Sequence, residues 1–245
     1  MDQTALKSSR FQYFLPALVA AILAVIVYYL TSAPDITWTH DSQDSGELAA
    51  CAATLGIPHP TGYPLYILIG HLFTCILFWM TPGRAMVLLS VLSGALAVGV
   101  IARAAALSIR LILSPDQMDD RVAGWWGALA AGFMAFSPLL WSQAVVCEVY
   151  SFAVLLQSIA WLSLIKLLVY FMQGRRHKAG RSLVWLGFSY GLILAHHVSC
   201  GAIILPMLIG LVICHVRFSF RLWIKSFLAV IPGLPTVPFL MMGGV

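Results

Sequence analysis

The chain has 245 residues, 61% of them hydrophobic and 9% charged, with a net charge of +5. Soluble domains carry about 25% charged residues, so this sequence lacks the polar surface to wrap a water-soluble globule. Apolar runs of about 20 residues recur along it, as bilayer-spanning helices require, and the basic residues cluster between those runs, a pattern of membrane orientation and not of nucleic-acid affinity. The expected fold is all-α and polytopic, with about seven transmembrane helices and further helices lying along the membrane in the first outer loop. Cys51, Cys75, Cys147, Cys200 and Cys214 are scattered without C-x-x-C spacing. They read as small apolar residues, neither metal ligands nor a disulfide set.

Lys7 and Arg10 precede the first apolar run, which places the N-terminus in the cytoplasm. That run, Phe14 to Leu30, is longer than the h-region of a signal peptide, and Pro34 follows the only passable cleavage site, so the sequence predicts a retained helix over 13–31. The loop after it holds Asp35, Asp41, Asp44 and Glu47, four of the nine acidic residues, and no Lys or Arg before Arg84. It is expected outside, spanning 32–85. Within it, Ser45 to Leu55 reads as a short amphipathic helix with Leu48, Ala52 and Leu55 on one face and Gly56 as its stop. Pro58, Pro60 and Pro64 then impose a stiff, extended turn.

Charge parity orders the rest. Arg175, Arg176, Lys178 and Arg181 are expected inside, and spans over 150–171 and 123–140 put Trp141 to Val149 outside and Arg103, Arg110 and Arg121 inside. Only one of the two runs 65–80 and 86–108 can then cross. The shorter, bounded by proline-rich turns, is expected to enter and leave on one side. Residues 183–214 suit two crossings with an outer turn near His196–Ser199, and Trp223 to Met242 is a last apolar run.

Three polar patches therefore meet on the outer side: the acidic loop, the segment Trp141 to Tyr150, and His196 with His197. Ionisable groups near membrane depth are functional candidates. Asp44 and Glu47, at i and i+3, share a helix face. One reading makes a general base that takes the proton of an acceptor hydroxyl. The other makes a capping box, with Asp44 or Ser45 as cap and Glu47 reaching back to a free amide. Glu148 suits either a site or the favoured negative charge at a helix start. Adjacent His196 and His197 point apart, which disfavours a joint metal site, and no metal-ligand set is read from the sequence. His59 is held between two prolines. Trp38, Tyr63, Trp79 and Trp141 suit an interfacial aromatic belt.

These segments follow one another in a recognisable order: Asp44-Ser45-Gly46-Glu47, then Gly56 to Leu65 with the HPxGYP motif, then Trp141-Ser142-Gln143 with Glu148-Val149-Tyr150, then Gly191-Leu192 with Ala195-His196-His197. Over about residues 12–245 the chain resembles the N-terminal part of the transmembrane protein O-mannosyltransferase family, which has many bacterial members. The resemblance implies a glycosyltransferase of the GT-C class that uses a polyprenyl-phosphate sugar, mannose by the family's name, and an acceptor protein or glycan. It implies that Asp44 is the base, supported by Glu47, and that Asp41, His59, Tyr63, Glu148, Tyr150, His196 and His197 line the donor and acceptor cavity. Residues 1–245 would form a GT-C-like transmembrane domain incomplete at its C-terminus, completed by a C-terminal half or partner subunit, in a bacterial inner (plasma) membrane. Divalent-metal dependence stays open. A transporter or channel, or a non-catalytic membrane partner with the same fold, also suits outer carboxylates and broken helices. A transporter should carry charges midway along its spans, whereas here they sit at the ends.

Overall fold

A computed structural model describes residues 3–60, 62–113, 117–202, 205 and 219–233, and among these the protein is all-α. The helices are α1 (Gln3–Thr31), α2 (Ser45–Thr54), α3 (Pro64–Ile76), α4 (Pro82–Ile112), α5 (Asp120–Ala135), α6 (Pro138–Ala144), α7 (Tyr150–Met172), α8 (Arg176–His196) and α9 (Phe220–Leu228). Two 3-10 turns, Thr39–Asp41 and Ile231–Gly233, are also present, and residues 198–202 are helical.

The most apolar stretch of α4 is 67% buried and that of α1 only 28% buried. Helix α4 is therefore the hub, packed against α1, α5 and α7, while α1 leaves an apolar face to lipid. Small residues permit the close approach, as at most membrane helix crossings. A Cβ on Gly127 would run into the Ala102 carbonyl oxygen of α4, and one on Gly124 would lie 2.6 Å from the Gln12 carbonyl oxygen of α1. At one end of the bundle, the Tyr13 hydroxyl donates to Asp120 and Arg110 pairs with Asp120, tying α1, α4 and α5 together. At the other end the Tyr28 hydroxyl donates to the Ala135 carbonyl at 2.7 Å and Trp141 Nε1 donates to Thr31 Oγ1 at 3.0 Å.

Three helices among the described residues are long and apolar enough to cross a membrane: Gln12–Thr31, Pro82–Ile112 and Tyr150–Met172. The run expected as one straight span over 123–140 is instead α5 and α6, bent by 72°. Ser137 leaves the helix and caps α6 by accepting from the Leu140 amide, and Pro138, lacking an N–H, opens the new helix. Counting this pair as one span gives four. Helix α3 ends at Ile76, not 80, and its 13 residues rise about 20 Å, short of a hydrocarbon core about 30 Å thick.

Helix α8 has the length of a span, but its first turns carry Arg176, Lys178 and Arg181, so it is not among the helices apolar enough. It stops where the outer turn was expected, with His197 extended at φ −157°. The second crossing expected within 183–214 and the end of the run to Met242 fall largely outside the described residues. The expected total of about seven transmembrane helices includes both of these.

Candidate active site

Helix α2 presents the central carboxylates. Its buried face is Ser45, Leu48, Ala49 and Ala52, and Ser45 Oγ donates to the Cys147 carbonyl at 2.8 Å, fixing the first turn against the 145–149 segment. Ser42 and Ser45 hydroxyls hydrogen-bond beneath it. The capping box expected here does not form. Asp44 is the N-cap residue but makes no side-chain cap hydrogen bond, with ψ −6° in place of the extended value that aims a cap inward. The helix stop also differs: Leu55 takes the left-handed conformation, φ 55°, and Gly56 only donates its amide to Cys51.

Glu47 is engaged elsewhere. Its Oε1 accepts from the His59 backbone amide at 2.8 Å and its Oε2 lies 2.7 Å from His59 Nδ1. This grip on both the main chain and the ring of His59 leaves Nε2 facing Asp44, 3.6 Å from Oδ2. The side chains of Asp44, Glu47 and His59 are 50%, 42% and 36% exposed, so all three reach solvent. One ligand-type atom from each lies within 4.8 Å of the others, a spacing that a metal ion could bridge. The carboxylate–imidazole contacts also give these groups partners of their own.

The hydrogen bond to Glu47 raises the His59 pKa above 6.5, against a smaller effect of burial, with Asp44 and Glu148 adding to the rise. The same hydrogen bond lowers Glu47 below 4.5. The stabilising protonation of His59 is thus complete below 6.5 and is lost as pH rises through its raised folded value. The ionisation of Glu47 contributes above 4.5 and is lost as pH falls through its lowered value. Histidine-selective NMR should give His59 a midpoint above 6.5 that moves back down in Glu47→Gln. An unmoved midpoint in that variant would rule out the Glu47–His59 pairing.

Tyr63 connects this cluster to the end of α8. It is a non-glycine residue at φ 42°, following Gly62 at φ 83°, which turns the chain sharply into α3 at Pro64. A bulky residue there marks stored strain. The Tyr63 ring lies 5.7 Å from His59, 6.0 Å from His196 and 5.4 Å from His197, centroid to centroid. It is buried, at 8% exposure, and so is no part of an interfacial belt, unlike Trp38 and Trp79 at 81% and 63%. His196 is buried between Tyr63, Tyr66 and Phe152. Its ring nitrogens make no well-formed hydrogen bond among the described residues, although the Val149 backbone approaches them.

Glu148 is buried at 4% exposure, just before α7. Burial pushes its carboxyl up to about 7, with Asp44 adding to the rise and the Val149 amide and His59 opposing it. Its backbone is fixed from two sides: Ser90 Oγ bonds both its amide (3.3 Å) and its carbonyl (3.1 Å), and the Tyr66 hydroxyl donates to the carbonyl at 3.3 Å. Sequence reasoning passed over Ser90 and Tyr66. Their signal was weak but present, one of two buried serines inside the apolar run of α4 and a second tyrosine one turn after Tyr63.

The structure thus gathers Asp44, Glu47, His59, Tyr63, Glu148, His196 and His197. Tyr150, 57% exposed, opens α7 close enough to Tyr63 to affect its hydroxyl electrostatically. Asp41 stands apart: it is exposed, at φ 57°, and its carboxylate makes no hydrogen bond or ion pair among the described residues. The arrangement offers a solvent-reaching carboxylate beside an oriented imidazole, with a second, buried carboxyl group close behind. Such a set can take a proton from a hydroxyl nucleophile and hold the nucleophile in place.

Residues 44–221 match the sequence model of the protein O-mannosyl-transferase TMEM260 N-terminal domain. The chain is 32% identical over 154 residues to the protein O-mannosyl-transferase TMEM260 of Mus musculus, a match covering 62% of this chain and 20% of that protein. It is 30% identical over 132 residues to the protein O-mannosyl-transferase tmem260 of Dictyostelium discoideum, covering 53% of this chain and 14% of that one. The matched region therefore spans a fifth or less of these relatives' length, and no solved structure matches the chain. With the matched segment beginning at Asp44 and taking in Glu47, His59, Tyr63, Glu148, His196 and His197, this integral membrane chain belongs to the TMEM260 N-terminal domain family of protein O-mannosyl-transferases.

Proposed function

We propose that the chain carries the acceptor-activating half of a GT-C-type glycosyltransferase, which moves a sugar from a polyprenyl-phosphate donor to a hydroxyl of a protein or glycan on the outer face of the membrane. Mannose is taken from the names of the relatives. Asp44 takes the proton of the acceptor hydroxyl. The freed oxygen attacks the anomeric carbon, the bond from that carbon to the phosphate oxygen breaks, and the polyprenyl phosphate leaves carrying the bonding pair. A phosphate leaving group needs no general acid, so one base suffices. The observation that carries this reading is Asp44 left free of its capping role, with His59 Nε2 turned toward it by Glu47.

His59 then orients the nucleophile, Tyr63 and His197 flank the cavity, and Glu148 sets its electrostatic floor. The reading includes a cytoplasmic N-terminus, a bacterial inner-membrane location by analogy with the bacterial members, and further chain or a partner subunit to complete the donor site. In proteoliposomes of the full-length protein with an acceptor peptide, polyprenyl-phosphate mannose should yield labelled product and GDP-mannose none. Transfer from the nucleotide sugar alone would overturn the donor assignment, and no transfer from either would point to the non-catalytic partner.

A further inference from the structure

On the far side of α3 from its Tyr63 end, α1, α3 and α4 enclose a groove of about 230 Å³. Its wall is wholly apolar and includes Val25 and Tyr29 of α1, Phe73 and Ile76 of α3, and Leu88 and Leu92 of α4. None of Asp44, Glu47 or His59 lines it. Unfilled, such a slot forfeits dispersion contacts along its walls, and in a membrane its natural filling is a hydrocarbon chain.

One cation stands at its mouth. Arg84, in the first turn of α4, lies one turn before Leu88 on the same face. Its guanidinium carbon sits 5.2 Å from the centre of the Tyr29 ring. Nη1 donates to Ser32 Oγ at 2.8 Å and to the Ala33 carbonyl at 2.6 Å, the residues just beyond the end of α1. Both bonds come from one nitrogen, so Nη2 and Nε have no protein acceptor among the described residues. No carboxylate there pairs with Arg84 either. Asp35, at the same helix end, is held by the Thr81 hydroxyl (2.6 Å) and the Ile36 amide (2.7 Å).

The level is that of a lipid headgroup. Helix α1 ends and α4 begins here, and the exposed Phe78 and Trp79 mark an interfacial position beside it. An unpaired guanidinium at headgroup depth over an apolar slot matches a phosphate joined to an acyl chain, and it matches a headgroup with net negative charge better than a zwitterionic one.

We infer that the α1–α3–α4 groove binds one anionic membrane phospholipid, with its acyl chain between Val25, Phe73 and Leu92 and its phosphate on Arg84. The lipid would buttress the C-terminal half of α3, whose N-terminal residues hold Tyr63 in the candidate site.

Native mass spectrometry of the detergent-purified full-length protein, delipidated and then offered phosphatidylglycerol or phosphatidylcholine with identical chains, tests this. Phosphatidylglycerol should be retained about fivefold more tightly, the worth of one basic residue at the headgroup level. Arg84→Gln should abolish the preference. Leu88→Trp, which fills the slot and leaves the hydrogen bonds of Arg84 in place, should lower retention of both lipids with the unfolding midpoint kept, and it decides the matter if Arg84→Gln does not fold. Inorganic phosphate should not compete. Equal retention of the two lipids by the wild type, a preference that survives Arg84→Gln, retention unaltered by Leu88→Trp, or displacement by phosphate alone would each overturn the site.

Discussion

Replacing Asp44 by asparagine should lower sugar transfer by about 10²–10⁴-fold, the usual contribution of a positioned general base, with the unfolding midpoint unchanged. The two halves of this expectation have separate causes. Asparagine keeps the shape of aspartate and loses its capacity to accept a proton at neutral pH. Stability is untouched because the Asp44 side chain caps nothing: it makes no hydrogen bond to the α2 amides, and its contact with His59 is 3.6 Å long at a half-exposed position. A true N-cap would cost about 1 kcal/mol when replaced by a residue that cannot cap, and asparagine caps as well as aspartate does. Asp44→Ala is therefore the sharper structural control, since it should also leave the midpoint in place. The assay is initial rate with polyprenyl-phosphate mannose at saturating acceptor, beside a thermal unfolding scan. Wild-type rates in Asp44→Asn would end the assignment of Asp44 as base. A fall in rate that tracked a fall in midpoint would turn it into a folding residue.

Much of this site was legible from residue types, and the parts that were not have physical reasons. The membrane class, α1, α4, α7 and the short α2 followed from apolar runs and their lengths, because a bilayer imposes one period and one length on whatever crosses it. The gathering of the first loop, the 141–150 segment and His196–His197 followed from charge parity alone. What parity could not give was the role of each group inside the patch. Asp44-Ser45-Gly46-Glu47 is as good a capping box as it is a catalytic motif. The choice was made by His59, twelve residues away, whose backbone and ring both claim Glu47. Likewise Tyr63 has the composition of an interfacial aromatic, and only the left-handed turn at Gly62–Tyr63 swings it inward against three imidazoles. The break at Ser137-Pro138 was readable from the proline, yet apolar residues on both sides masked it, since hydropathy registers composition and not direction.

Glu148→Gln should make the protein more stable above pH 7 while changing how it handles its donor. The carboxyl is 4% exposed and burial holds it up to about 7, well above its ordinary value of 4.5. A raised acid pKa means that the native state keeps a proton the unfolded state has released. Stability therefore falls as pH climbs from 4.5 to about 7 and levels off above, where the buried group must carry its charge. The gap between those values corresponds to about 3 kcal/mol as an upper figure. Glutamine cannot ionise, so the variant should match the wild type near pH 4 and exceed it increasingly up to pH 7, read as the difference in unfolding midpoint across a pH series. Parallel curves would show that Glu148 titrates normally. A group retained at such a cost calls for a function, and its position behind Asp44 and His59 supplies one: above pH 7 its charge adds to that of Asp44 and opposes a donor phosphate in the same cavity. The KM for the polyprenyl-phosphate donor should thus rise with pH through about 7 more steeply in the wild type than in Glu148→Gln, which keeps only the loss of the His59 proton, whereas a purely structural Glu148 would give two equal profiles.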